Sequence, residues 1–109
     1  MNDGVVKIYS VEDISEAGNM PKDGLILKQT LRYKERTVGM GRFWTAHQAQ
    51  ARIDLLLRTH KLRDVSTQDI AIPNDGKQYR IVQVQYPEEL NVMDLSLERI
   101  EQEYEIKRN

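Results

Sequence analysis

The chain contains no cysteine. A disulfide scaffold and a thiolate metal site are both excluded, and the composition fits a reducing compartment. A surplus of either charge is also missing. Sixteen Lys and Arg stand against seventeen Asp and Glu, for a formal net charge of −1. A protein built around nucleic-acid charge needs an excess of Lys and Arg, so only local basic patches are compatible with this balance. Long hydrophobic runs are absent. None approaches the roughly 20 residues that a membrane-crossing helix requires. The stretch Met1-Asn2-Asp3-Gly4 lacks the basic and apolar regions of a signal peptide. The expectation is a soluble protein made in the cytoplasm, with no membrane partner.

What is present is one domain's worth of sequence, 109 residues, expected to form a single domain over 1–109. Hydrophobic residues make up 39% and charged residues 30%, a globular but lean composition. A domain of this size buries roughly two thirds of its unfolded surface, so it just holds its own core. A chain this lean gains stability by assembling with partners.

Val5 to Val11 is rich in branched and aromatic residues and reads as a strand. Glu12 to Gly24 carries Gly18-Asn19, Pro21 and Asp23-Gly24, which predicts a long flexible loop. Leu25 to Glu35 alternates, with Leu25, Leu27, Leu31 and Tyr33 on one face and Lys28, Thr30, Arg32 and Lys34 on the other. Period two over this length predicts a half-buried strand. Met40, Phe43 and His47 recur at helical spacing, and Ala46, Gln48, Ala49, Gln50 and Ala51 favour helix. A short helix is therefore expected within Gly39 to Ala51. Ala51 to Thr59 fits a strand or a continuing helix equally by periodicity; the triple leucine flanked by charges favours the strand.

Asp69 to Ile72 and Tyr79 to Tyr86 flank Pro73-Asn74-Asp75-Gly76, whose Asn, Asp and Gly suit a turn, so a hairpin is expected. Met93, Leu95 and Leu97 alternate with Asp94, Ser96 and Glu98 as a last strand. Residues 99–109 form a charged tail, in which Ile100 and Tyr104 fit either a terminal helix or a strand resumed after a bulge. Leu31, Ile53, Leu55 and Ile81 are the expected core. Five or six strands joined by turns, with one short helix, suggest a mainly β fold, a small antiparallel β-barrel.

Chemistry is harder to find. His47 and His60 have no second histidine or carboxylate at ligand spacing, and each is more ordinarily a surface or helix-face residue. Ser10, Ser15, Ser66 and Ser96 sit in no nucleophile elbow. Gly39-Met40-Gly41 is a lone pattern better explained by a turn. No catalytic residue, cofactor-binding residue or metal ligand is assigned, and no enzymatic activity is expected. One basic and aromatic neighbourhood stands out: Arg32, Lys34, Arg36 and Arg42, with Tyr33, Phe43 and Trp44. It suits single-stranded nucleic acid, where bases stack on aromatics in a basic groove. The plainer reading is a solvated strand face followed by core aromatics.

Three stretches, Arg36-Thr37-Val38-Gly39, Arg42-Phe43-Trp44-Thr45-Ala46 and Arg52-Ile53-Asp54-Leu55-Leu56-Leu57-Arg58, resemble the phage head–tail joining proteins, also called head-closure, head-completion or stopper proteins. Asp75 to Val84 looks like that family's closing hairpin, and Met93 to Leu97 is similar to its last strand. The resemblance spans about Leu25 to Leu97 and rests on structural signatures, not catalytic ones. It implies a small β-barrel bearing a short helix, and a ring of copies on the portal and adaptor connector. That ring would close the DNA-filled head and receive tail proteins, with the loop from Glu12 to Gly24 gating the channel or docking neighbours. It further implies residence in the virion after assembly in the host cytoplasm, and is compatible with a monomer in isolation and with contact with DNA in the channel. The family's tryptophan-alanine strand before the helix is missing here. Tail-completion proteins of the same neck region are the nearest neighbours of this reading, and an OB-like single-strand binder is the rival from another class.

Overall fold

The computed structural model describes residues 3–16, 18, 20–36, 53–88 and 91–107. The helix expected within Gly39 to Ala51 lies outside the described residues, as do Arg42, Phe43, Trp44 and His47.

Two long strands dominate. β1 (Asp3–Asp13) and β2 (Asp23–Arg36) pair antiparallel from Asp3↔Lys34 to Asp13↔Asp23. Glu12, Asp13, Asp23 and Gly24 therefore belong to the ladder, and the expected loop from Glu12 to Gly24 is shorter by these two pairs. Its base is tied further: the Ile14 amide donates to the Lys22 carbonyl at 2.8 Å. The Asp13 carboxylate accepts from the Ser15 amide at 2.9 Å and the Ser15 hydroxyl at 2.6 Å. These bonds, the Ser15 hydroxyl first, hold the Asp13 carboxyl below the usual carboxylate range.

The remaining strands are β3 (Leu55–His60), β4 (Ile70–Ile72), β5 (Tyr79–Gln85), β6 (Val92–Arg99) and β7 (Glu105–Ile106). The hydrogen-bonded order is β1-β4-β5-β6-β3-β2, and β2 pairs back onto β1, so six strands form a closed ring. The chain is thus mainly β, as its alternating segments predict, and among the described residues no helix occurs. Every pair in the ring is antiparallel; β7 adds to β2 in parallel at Gly24↔Glu105 and Leu25↔Ile106. The expected hairpin forms, with Ala71 opposite Tyr79 and Gly76 at a φ of +74°, the conformation its lack of a Cβ permits.

The core inside the ring contains Val6, Ile8, Tyr33, Leu57, Ile81, Met93, Leu95 and Leu97. Leu31 and Leu55 pack against it half-buried, and Ile53 is half-buried, so of the four expected core residues Ile81 alone is fully enclosed. A second cluster of Tyr9, Leu25 and Ile70 lies on the other face of the sheet, since alternation along β1 turns Tyr9 away from Val6 and Ile8. Ile100, Tyr104 and Ile106 pack over this cluster. The charged tail therefore folds back onto the sheet, as neither a helix nor an extension of β6. Gln78, 4% exposed, fixes it there by donating to the Tyr104 carbonyl at 2.9 Å and accepting from the Tyr104 amide at 2.8 Å.

Candidate functional site

The period-two pattern of β2 places Tyr33 toward the core and sends Arg32, Lys34 and Arg36 to the opposite face, where all three are exposed. Register then decides what stands beside them. Lys34 lies between Asp3 on β1 and Arg58 on β3, and Arg58 faces Asp94 on β6. A second row runs from Val5 to Arg32 and on to His60, which follows the Tyr33↔Thr59 pair, and ends on Val92 opposite His60. These two rows floor an open hollow of about 520 Å³, with Val5 and Val92 as apolar walls.

The cations are not equivalent. Arg58 is committed: its Nε reaches Asp94 Oδ1 at 2.8 Å and its Nη2 reaches Oδ2 at 3.0 Å. That fork raises the guanidinium pKa above its ordinary value despite partial burial. Arg32, Lys34 and His60 make no side-chain hydrogen bond or ion pair among the described residues. Beyond the His60 end, Lys61 Nζ stands 5.2 Å and Arg63 Cζ 5.9 Å from the ring centre of Tyr86, which is 37% exposed. The Lys61 amide donates to the Asn91 carbonyl, one residue before Val92, which ties this shelf to the hollow.

Of the basic and aromatic neighbourhood expected from sequence, Arg42, Phe43 and Trp44 lie outside the described residues, and Arg32, Tyr33, Lys34 and Arg36 lie within them. Its basic face forms, but Tyr33 is buried and its hydroxyl accepts from the Asn74 amide at 3.4 Å, so the ring is not offered for stacking. Among the described residues an exposed ring is offered instead by Tyr86, which pattern reading placed at the end of a strand. Its cationic neighbours Lys61 and Arg63 are distant in sequence, and a local pattern carries no signal for that meeting.

The serines do not converge. Ser10 donates to Glu12 at 2.6 Å, and Ser15 is bound to Asp13. Ser66 accepts from the Gln68 amide, while Ser96 is wholly buried with its Oγ unpartnered. Among the described residues, no group of three or more His, Asp or Glu stands where it could hold a metal ion. Nor, among them, is any helix long and apolar enough to cross a membrane. No family model and no curated protein matches the chain.

Proposed function

We propose that this chain is a structural joining protein of a tailed phage or prophage. It assembles as a ring of copies on the portal and adaptor connector, closes the DNA-filled head and offers a surface to tail proteins. The six-stranded ring is the small antiparallel barrel on which that role is built, and the protein acts by assembly without catalytic turnover. Its place is the virion neck, reached from the host cytoplasm.

The observation that carries this reading is the open edge of the β1–β2 arm. β4 covers β1 at Lys7–Tyr9 alone, so among the described residues no strand pairs with the outer edge of β1 from Ser10 to Asp13. The molecule is drawn out to 49 × 28 × 24 Å. Met20, 86% exposed, lies in the loop at the end of the arm, and Leu27, 52% exposed, lies along it. Unpaired edge groups are completed by a neighbour's strand, and exposed apolar side chains are covered in the same contact. Such a contact is weak between free copies and strong on a connector that holds them at high effective concentration.

The test is deletion of residues 17–21, which spares the Asp13, Ile14 and Lys22 bonds at the loop base. The variant should melt like the parent yet give heads that lose DNA or take no tails. Full, tail-bearing particles from that variant would overturn the reading, as would a gene neighbourhood with no portal, capsid or tail genes.

A further inference from the structure

We propose that the hollow between β2 and β3 is a binding site for single-stranded nucleic acid. Arg32 and Lys34 hold its phosphates, His60 supplies a further hydrogen-bonding group, and Tyr86 stacks on a base. The inference stands apart from the joining role and uses a different face of the molecule.

Arg32 and Lys34 are exposed, two residues apart on one face of β2, so about 6.8 Å separates them along the strand. Of the acids among the described residues, Asp3 lines the hollow and Asp94 stands next to it, opposite Arg58. Asp94 is buried and engaged by Arg58, which leaves Asp3, opposite Lys34, as the exposed counter-charge. A balanced net charge of −1 does not oppose this arrangement, because charges beyond a Debye length of about 10 Å are largely screened and phosphates respond to the local field. Two cations with no partner among the described residues, two positions apart on one strand face, suit a row of phosphates better than one isolated anion.

The walls decide which nucleic acid fits. Val5 and Val92 flank the Arg32–His60 row, and Tyr86, outside the lining of the hollow, carries its ring beside Lys61 and Arg63, which follow His60 in the chain. Apolar walls and an exposed aromatic ring are useful to unstacked bases, whose faces they cover. A duplex hides its base faces and would meet only the cations, leaving Val5, Val92 and Tyr86 unused.

The experiment follows a fluorescein-labelled oligothymidylate by anisotropy with the full chain, between about 50 and 200 mM salt. Binding should weaken with salt. The Arg32→Gln/Lys34→Gln variant should lose about tenfold in affinity and about 1.4 from the log–log salt slope, at ~0.7 per single-strand phosphate contact. Both side chains are exposed and have no partner among the described residues, so its melting temperature should match the parent's. Lys22→Gln/Lys107→Gln changes net charge equally at the far end of β2 and should bind as the parent does. Tyr86→Ala should weaken binding several-fold with the slope unchanged. Four results would each overturn the proposal: no binding by the parent at low salt, equal losses in the two double variants, an unaffected Tyr86→Ala, or a duplex of the same length bound as tightly as the single strand.

Discussion

Arg58 and Asp94 face each other across β3 and β6, joined by two hydrogen bonds of 2.8 and 3.0 Å, with the carboxylate side chain only 1% exposed. The pair ties together two strands of the ring, and it explains why Arg58, one of the basic side chains flooring the hollow, is unavailable to a ligand.

Removing the cation takes a two-bond fork away from a buried carboxylate. Arg58→Ala should cost about 3–5 kcal/mol, the usual penalty for breaking a buried pair from one side. Arg58→Lys keeps the charge but loses the fork and should fall between. Denaturant unfolding of the three proteins checks the order. An Arg58→Ala variant as stable as the parent would mean that the pair contributes nothing.

β3 supplies a second prediction. Leu57 is fully buried inside the ring, whereas Leu55 packs half-buried at its margin. Leu57→Ala should therefore cost about 2–5 kcal/mol, as large-to-small core changes do, and Leu55→Ala distinctly less. Equal losses measured by thermal or urea unfolding would show that both sites are enclosed alike.

The same residues show how far the sequence could be read. Leu55 to His60 is a strand, as the flanking charges suggested, but Leu56 is 1% exposed beside fully buried Leu57, so both faces are covered and alternation gives no register. In β2 the alternation is clear and the strand is legible, yet the pairing passes from Ile8↔Gln29 to Tyr9↔Leu27. Lys28 is the extra residue of this bulge, and Leu27, expected inside with Leu25 and Leu31, is 52% exposed. A bulge is set by the partner strand and leaves no mark on one strand's own pattern. The tail was opaque for a similar reason. Ile100, Tyr104 and Ile106 follow no single period, and their place over Tyr9, Leu25 and Ile70 is decided by strands far earlier in the chain. The basic face of the hollow was visible in Arg32 and Lys34; its opposing His60 and Val92 come from register alone.

Gln78 tests the tail's attachment. Gln78→Ala removes both side-chain bonds to the Tyr104 backbone and leaves a partly buried amide and carbonyl without partners, a loss of about 1–3 kcal/mol. The Tyr104 amide should exchange with solvent hydrogen faster, and proteases should cut residues 101–107 more readily. Unchanged exchange at Tyr104 would show that the cluster alone holds the tail.

The last prediction concerns alkaline stability and rests on Tyr79. Burial, and then its 2.6 Å hydrogen bond to Asp75, push the Tyr79 phenol well above its ordinary pKa of 10. Both causes disfavour the phenolate in the folded protein, while the unfolded chain ionises near the ordinary value. Above that value the unfolded state binds fewer protons than the folded one, so stability falls as pH rises. The contribution is therefore complete below about pH 10 and declines above it, until the folded phenol also ionises. Tyr79→Phe removes the titrating group while keeping the ring in the core beside Ile81 and Leu97. Its melting temperature should fall less steeply than the parent's between about pH 9 and 11, the range where an ordinary tyrosine begins to ionise. The two should differ at neutral pH only by the lost hydrogen bond, about 0.5–1.5 kcal/mol. Parallel melting curves for the two proteins across that range would show that Tyr79 is not the group responsible.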